Sequence, residues 1–87
     1  MTRHRVDLDG GAKRDLRGIR DARLLGQLQR AILALGDDPR PPGVKKLAGR
    51  EDQWRIRVRE WRIVYVIEDG RLVVLVVSVA KRDEVYR

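Results

Sequence analysis

The sequence predicts an α+β fold, with an N-terminal strand and a two-helix hairpin packed on a curved antiparallel β-sheet in the order β-α-α-β-β-β. Three observations predict it. Residues 53–79 hold three strand-like runs with almost no spacer between them. Two stretches of helical period precede those runs. Residues 5–8, ahead of the helices, alternate apolar and charged side chains.

The first strand candidate is Arg5 to Leu8, where Val6 and Leu8 alternate with Arg5 and Asp7. That period of two fits a sheet edge. Asp9 then offers an N-cap, although Gly10 and Gly11 make a weak helix start. Ala12, Leu16 and Ile19 stand at i, i+4 and i+7, so a short helix with one apolar stripe follows. In the second helix Leu24, Leu25, Leu28, Ile32 and Leu35 form a longer stripe. Asp21 is its expected cap and Gly36 its expected stop, with Pro39 just beyond. The leucines are read as core. Arg14, Arg17, Arg20, Arg23 and Arg30 are read as a solvated face that adds nonspecific attraction to RNA.

Pro39, Pro41 and Pro42 make residues 37–43 a loop. Residues 44–47 (Val-Lys-Lys-Leu) form a short extended piece, and residues 49–52 a polar turn. Trp54, Ile56 and Val58 alternate with Arg55, Arg57 and Arg59, which gives one strand an apolar face and a guanidinium face. Glu60 marks a tight reversal into a second strand, Arg62 to Ile67. Asp69-Gly70 reads as a two-residue hairpin turn, because glycine accepts φ > 0 at little cost. The run from Leu72 to Val79 is apolar at nearly every position, as suits a central strand covered on both faces. Residues 1–87 are read as one domain with no repeat and no low-complexity tract.

Composition narrows the chemistry. The chain has 87 residues, no Cys and one His, His4. Disulfides, thiolate metal sites, a Cys nucleophile and a two-histidine nuclease site are therefore excluded. No cofactor and no metal are expected. Ser78 is the single serine and lies in the most apolar run, where a hydrogen-bonded core serine is expected rather than a nucleophile. No leader and no apolar run of membrane-spanning length is read, so the expected location is cytoplasmic with no membrane partner. Twenty Lys+Arg against 13 Asp+Glu give a net charge of +7. That charge suits a phosphate-bearing partner, and it equally suits a soluble basic protein balanced by an acidic one.

The remaining constellation is basic and aromatic: Arg55, Arg57, Arg62, Lys81, Arg82 and Tyr86. In a meander the end of the third strand lies near the start of the second. Arg62 and the Lys81-Arg82 pair should then be neighbours, with Arg55 and Arg57 close by. A cationic concavity with a tyrosine at its rim suits a phosphodiester between stacked bases. Periodicity alone favours a plainer account, in which Arg55, Arg57 and Arg59 are the exposed face of a half-buried strand. Trp54 and Trp61 are read as core or rim packing and Tyr65 as core. Tyr86 is either a packed terminal anchor or a stacking residue.

Four segments together change that balance. They are Val44-Lys45-Lys46-Leu47-Ala48-Gly49, Trp54-Arg55-Ile56-Arg57-Val58, Trp61-Arg62-Ile63-Val64-Tyr65 and Val79-Ala80-Lys81-Arg82-Asp83-Glu84-Val85-Tyr86. In order and spacing, and with the helical hairpin ahead of them, they resemble the RelE branch of the RelE/ParE toxin superfamily. The resemblance covers most of the chain. It implies a toxin of a type II toxin–antitoxin system, which enters the ribosomal A site and cleaves translated mRNA without a metal. The 2′-hydroxyl attacks the adjacent phosphate and leaves a 2′,3′-cyclic phosphate and a 5′-hydroxyl. By this resemblance Arg62 and Arg82 hold the scissile phosphate, and Tyr86 stacks on a base or orients the 2′-hydroxyl. Arg55 and Arg57 stand where lysines are frequent, and add phosphate contacts or help activate the nucleophile. Arginine holds its proton too tightly to be an easy general base, so Lys81 becomes the candidate for proton transfer.

The resemblance also implies partners: a cognate antitoxin with an acidic segment, the ribosome and its mRNA, and operator DNA reached only through the antitoxin. Two other functions stay open. ParE-branch toxins resemble this fold and inhibit DNA gyrase without cutting RNA. A degenerate toxin would keep the surface without the chemistry.

Overall fold

The computed structural model describes residues 3–47 and 52–81. The chain runs β1 (Arg5–Leu8), α1 (Gly10–Arg17), α2 (Ala22–Ala34), β2 (Lys45–Lys46), β3 (Gln53–Val58), β4 (Trp61–Glu68) and β5 (Val73–Lys81). The five strands form one sheet in the order β1-β5-β4-β3-β2. The meander from β2 to β5 is antiparallel throughout. β1 lies parallel to β5, with Val6 opposite Val74 and Leu8 opposite Val76. The sheet is therefore mixed rather than wholly antiparallel. The intervening helices and strands give the long connection that a parallel neighbour requires.

Both helices start where the sequence places their caps. Asp9 Oδ1 accepts from the Ala12 amide at 2.8 Å. Asp21 Oδ1 accepts from the amides of Arg23 at 3.0 Å and Leu24 at 3.1 Å. Each bond satisfies a first-turn donor that the helix itself leaves open. A Cβ on Gly11 would stand 3.4 Å from the Val77 carbonyl oxygen, an ordinary contact. At Gly36, just past α2, close approach does require glycine. A Cβ there would meet the His4 carbonyl oxygen at 2.8 Å, and the His4 amide donates to the Gly36 carbonyl.

α1 lies against β5 and α2 against β3. Ala12, Leu16, Leu24, Leu28 and Ile32 from the helices pack with Ile56, Ile63, Tyr65, Val74, Val76 and Val79 from the sheet. Tyr65 is buried, as expected, and its hydroxyl donates to the Pro39 carbonyl at 2.7 Å. Burial pushes the phenol up to about 12, so it stays a neutral donor and ties the proline loop to the sheet. Arg40 in that loop sits 5.0 Å from the Trp54 ring centroid and forms a two-bond pair with Asp69. His4 reaches the same carboxylate at 3.2 Å.

The β4–β5 turn differs from expectation, whereas the tight reversal expected at Glu60 is found. The β4–β5 connection is not a two-residue hairpin. Glu68 pairs with Val73, and a 3₁₀ turn at Asp69–Arg71 plus Leu72 fills the gap. Leu72, not Gly70, takes the left-handed conformation at φ 55°. The two-residue loop is Arg59-Glu60 between β3 and β4, since Val58 pairs with Trp61. Arg59 takes φ 58° there, at the first loop position.

β5 also carries a bulge. Val64 pairs with Ser78 and Tyr65 with Val76, which leaves Val77 as the extra residue. β1 covers β5 only as far as Val76. Beyond it the Val79 amide donates to Asp15 Oδ2 of α1 at 3.0 Å, so a carboxylate takes over where strand pairing stops. Ser78 projects on the face away from the helices and is half-buried there, not part of the helix-packed core.

Replacing Asp15 by Ala leaves a part-buried amide unpaired and should cost about 1–3 kcal/mol, while Asp15→Asn keeps an acceptor and most of the stability. Urea unfolding curves of the two variants check this. The Arg40 and His4 bonds hold the Asp69 carboxyl below its ordinary value of 3.8. A depressed folded-state value means that its contribution is present above that ordinary value and is lost as pH falls through the folded one. Acid unfolding followed by circular dichroism should therefore be less steep below pH of about 4 in Asp69→Asn than in the unmodified protein.

Candidate phosphate-binding face

Strand alternation divides β3 between two faces. Trp54, Ile56 and Val58 pack toward the helices. Arg55 and Arg57 therefore project from the opposite, open face. Register then decides their neighbours. Arg57 pairs with Arg62, and Arg62 with Ala80, so these three form one rung across the sheet. Lys45, Arg55, Val64 and Ser78 form the next. Residues directly opposite in a ladder have Cβ atoms about 5 Å apart.

Four cationic side chains thus leave two adjacent rungs at the end of the sheet nearest the β3–β4 turn. Their exposure differs. Arg62 is 2% exposed and Arg55 8%, whereas Arg57 and Lys45 are exposed. Arg62 is centred between two strands, and its cross-strand neighbour Ala80 is small. Both buried arginines interact with other parts of the chain. Among the described residues the acids of this face lie at the other end, where Asp7 bonds Arg5 at 2.9 Å and Glu68 bonds Arg71 at 3.2 Å. The described part of the face is therefore cationic at one end and charge-balanced at the other.

Like charges opposite one another cost stability. What they provide is a fork of N–H donors matched to phosphate oxygens, held by a ladder rather than by loops. Positively charged donors in this arrangement can bind an anion and stabilise added negative charge. Among the described residues no group of three or more His, Cys, Asp or Glu stands together as a metal cluster would require.

The expected site residues divide accordingly. Arg55, Arg57 and Arg62 are brought together. Lys81 is turned away, which corrects the expectation that it neighbours Arg62. It pairs with Trp61, not Arg62, and its Nζ stands 6.0 Å from the Trp61 ring centroid on the helix side of the sheet. Because alternate residues face opposite ways, Ala80 occupies the position beside Arg62. Arg82 and Tyr86 lie outside the described residues. Lys45 shares the rung of Arg55 and was not among the expected site residues. Its signal was its place in a short extended piece one strand away from Arg55. Asp15 was missed as the support of β5, and a lone carboxylate on an amphipathic helix carries no sequence signal for that role.

No helix among the described residues is long and apolar enough to cross a membrane. A family profile described as the ParE toxin of type II toxin–antitoxin system, parDE, matches residues 6–86. The mRNA interferase toxin RelE of Escherichia coli K12 is 36% identical, over 83% of this chain and 84% of that protein. The toxin in the intact E. coli RelBE toxin–antitoxin complex superposes with a TM-score of 0.77 at 30% identity, over 90% of this chain and 95% of that one. The isolated E. coli RelE toxin superposes equally well, with a TM-score of 0.77 at 32% identity, over 95% of this chain and 90% of that one. With a matching family profile, a relative above 30% identity and the same two helices on the same sheet, the chain belongs to the RelE/ParE toxin superfamily.

Proposed function

We propose that this protein is the toxin of a type II toxin–antitoxin pair and acts as a ribosome-dependent endoribonuclease on translated mRNA. The observation that carries this reading is the Arg57–Arg62 rung flanked by Arg55 and Lys45. It is supported by the relative at 36% identity that is named an mRNA interferase. A reading that needs the ribosome also needs the cytoplasm.

The chemistry is an internal transfer. The 2′-oxygen forms a bond to the adjacent phosphorus, and the bond from phosphorus to the 5′-oxygen breaks. The products are a 2′,3′-cyclic phosphate and a free 5′-hydroxyl. In this proposal Arg62 and Arg82 hold the non-bridging oxygens and stabilise the charge that builds on them. Arg55 and Arg57 bind the phosphate from the neighbouring strand. Tyr86 stacks on a base or orients the 2′-hydroxyl. The 2′-proton leaves to water or to an RNA group in the complex, and the 5′-oxygen gains one from solvent. Fixing the sugar and phosphate in line supplies much of the rate without a strong protein base.

The partner that restrains such a toxin is an antitoxin with an acidic segment complementary to the cationic end of the open face. The structural relative in the RelBE complex is itself bound to an antitoxin. Operator DNA is reached through that antitoxin. A second reading follows from the family profile, which is that of ParE. It makes the protein an inhibitor of DNA gyrase that does not cut RNA.

Induction in a host lacking the antitoxin, followed by mapping of mRNA 5′ ends, separates the two. The nuclease reading expects cuts inside translated codons that vanish when initiation is blocked. Arg62→Ala should lower cutting by about 10²–10³-fold, the usual loss for one preorganised charge contact. DNA breakage with an SOS response and intact mRNA would establish the gyrase reading instead.

A further inference from the structure

A second feature lies one rung beyond the arginines, on the other side of the sheet. At the β3–β4 end a hollow of about 440 Å³ is lined by Leu24, Arg59, Glu60, Trp61 and Lys81. Its floor is the Trp61–Lys81 rung, which adjoins the Arg57–Arg62–Ala80 rung but faces the helices. Lys81 Nζ stands 6.0 Å from the Trp61 ring centroid. Arg59 takes φ 58° in the tight turn, a position where glycine would be unstrained, and its Nη1 donates to Gln27 Oε1 at 3.5 Å. That turn and its contact with α2 hold a guanidinium at the rim of the hollow. Glu60 is exposed beside it.

An aromatic ring, two cations and a carboxylate around one open hollow match the parts of a nucleotide. A base stacks on the ring, and the cations meet its phosphate. The carboxylate accepts from the exocyclic amine of a base. We infer that this hollow is a nucleotide subsite, which takes a base flanking the scissile phosphate after the RNA strand passes round the β3–β4 turn. The inference rests on the RNA-cleaving reading of the open face. It gives Lys81 a binding role in place of proton transfer, and it makes Glu60 and Trp61 determinants of which sequences are cut. The variants that test it leave Arg55, Arg57 and Arg62 intact.

The experiment compares mapped mRNA 5′ ends for the unmodified toxin, Glu60→Ala and Trp61→Leu at matched induction. Glu60 lies in an exposed turn, so Glu60→Ala removes the acceptor and reads recognition rather than folding, whatever becomes of Trp61→Leu. Discrimination between amine-bearing and other bases beside the cut should fall about fivefold in Glu60→Ala, the equivalent of one net hydrogen bond. In Trp61→Leu preference at the same position should flatten. Continued cutting by Glu60→Ala with the base frequencies of the unmodified protein would overturn the subsite and leave the nuclease reading standing. No cutting by the unmodified protein would remove both.

Discussion

The register between β3 and β4 is the constraint on which the rest depends. It is set by the two-residue turn at Arg59-Glu60, which brings Val58 opposite Trp61. From that pair the period of two runs back along both strands. Ile56 meets Ile63 and Trp54 meets Tyr65 on the helix side, while Arg57 meets Arg62 on the open side. A slip of one residue would turn the apolar set to solvent and three arginines into the core. Burial of the helix-facing side chains and display of the cationic rungs are therefore consequences of one choice. Burying that apolar face fixes the side of the sheet from which the arginines project.

β5 supports this arrangement from the other side. It is an internal strand, with β1 along part of one edge and β4, the middle strand of the sheet, along the other. The bulge at Val77 adds local twist just before the segment that carries Ala80 into the arginine rung. Where β1 ends, Asp15 of α1 completes the edge by accepting from the Val79 amide. The helix thus does more than cover the core, since it holds the strand end that borders the cationic face. The loop between α2 and β2 is held separately, by the Tyr65 hydroxyl on Pro39 and by Arg40 between Trp54 and Asp69.

Much of this was legible in the sequence because it is local. Asp9 and Asp21 as caps, the leucine stripe of α2 and the alternation of β3 all follow from spacing alone, and the structure shows each of them. The meeting of Arg57 with Arg62 also followed, because only a two-residue turn separates their strands. What sequence could not resolve depends on registers set far away. The parity of the Arg62–Ala80 pairing puts Lys81 on the helix side, and the bulge at Val77 reverses the parity between the two ends of β5. Asp69-Gly70 carried a hairpin signal, yet the longer turn wins. Leu72 there supplies the carbonyl that accepts from the Arg5 amide at 2.7 Å, which ties the turn to β1. The parallel placement of β1 likewise has no local signal.

In the proposed reading the arginines of this face serve as charged donors to the phosphate, and the substrate's own 2′-hydroxyl is the nucleophile. The direct test is cleavage by the purified protein of a ribosome-bound mRNA carrying a single 2′-deoxy sugar at a mapped cut site. The account predicts that the all-ribose message yields a 2′,3′-cyclic phosphate and a 5′-hydroxyl, and that the deoxy-substituted message stays intact at that bond. Equal cutting of both messages would contradict internal attack, and with it the role given to the arginine face.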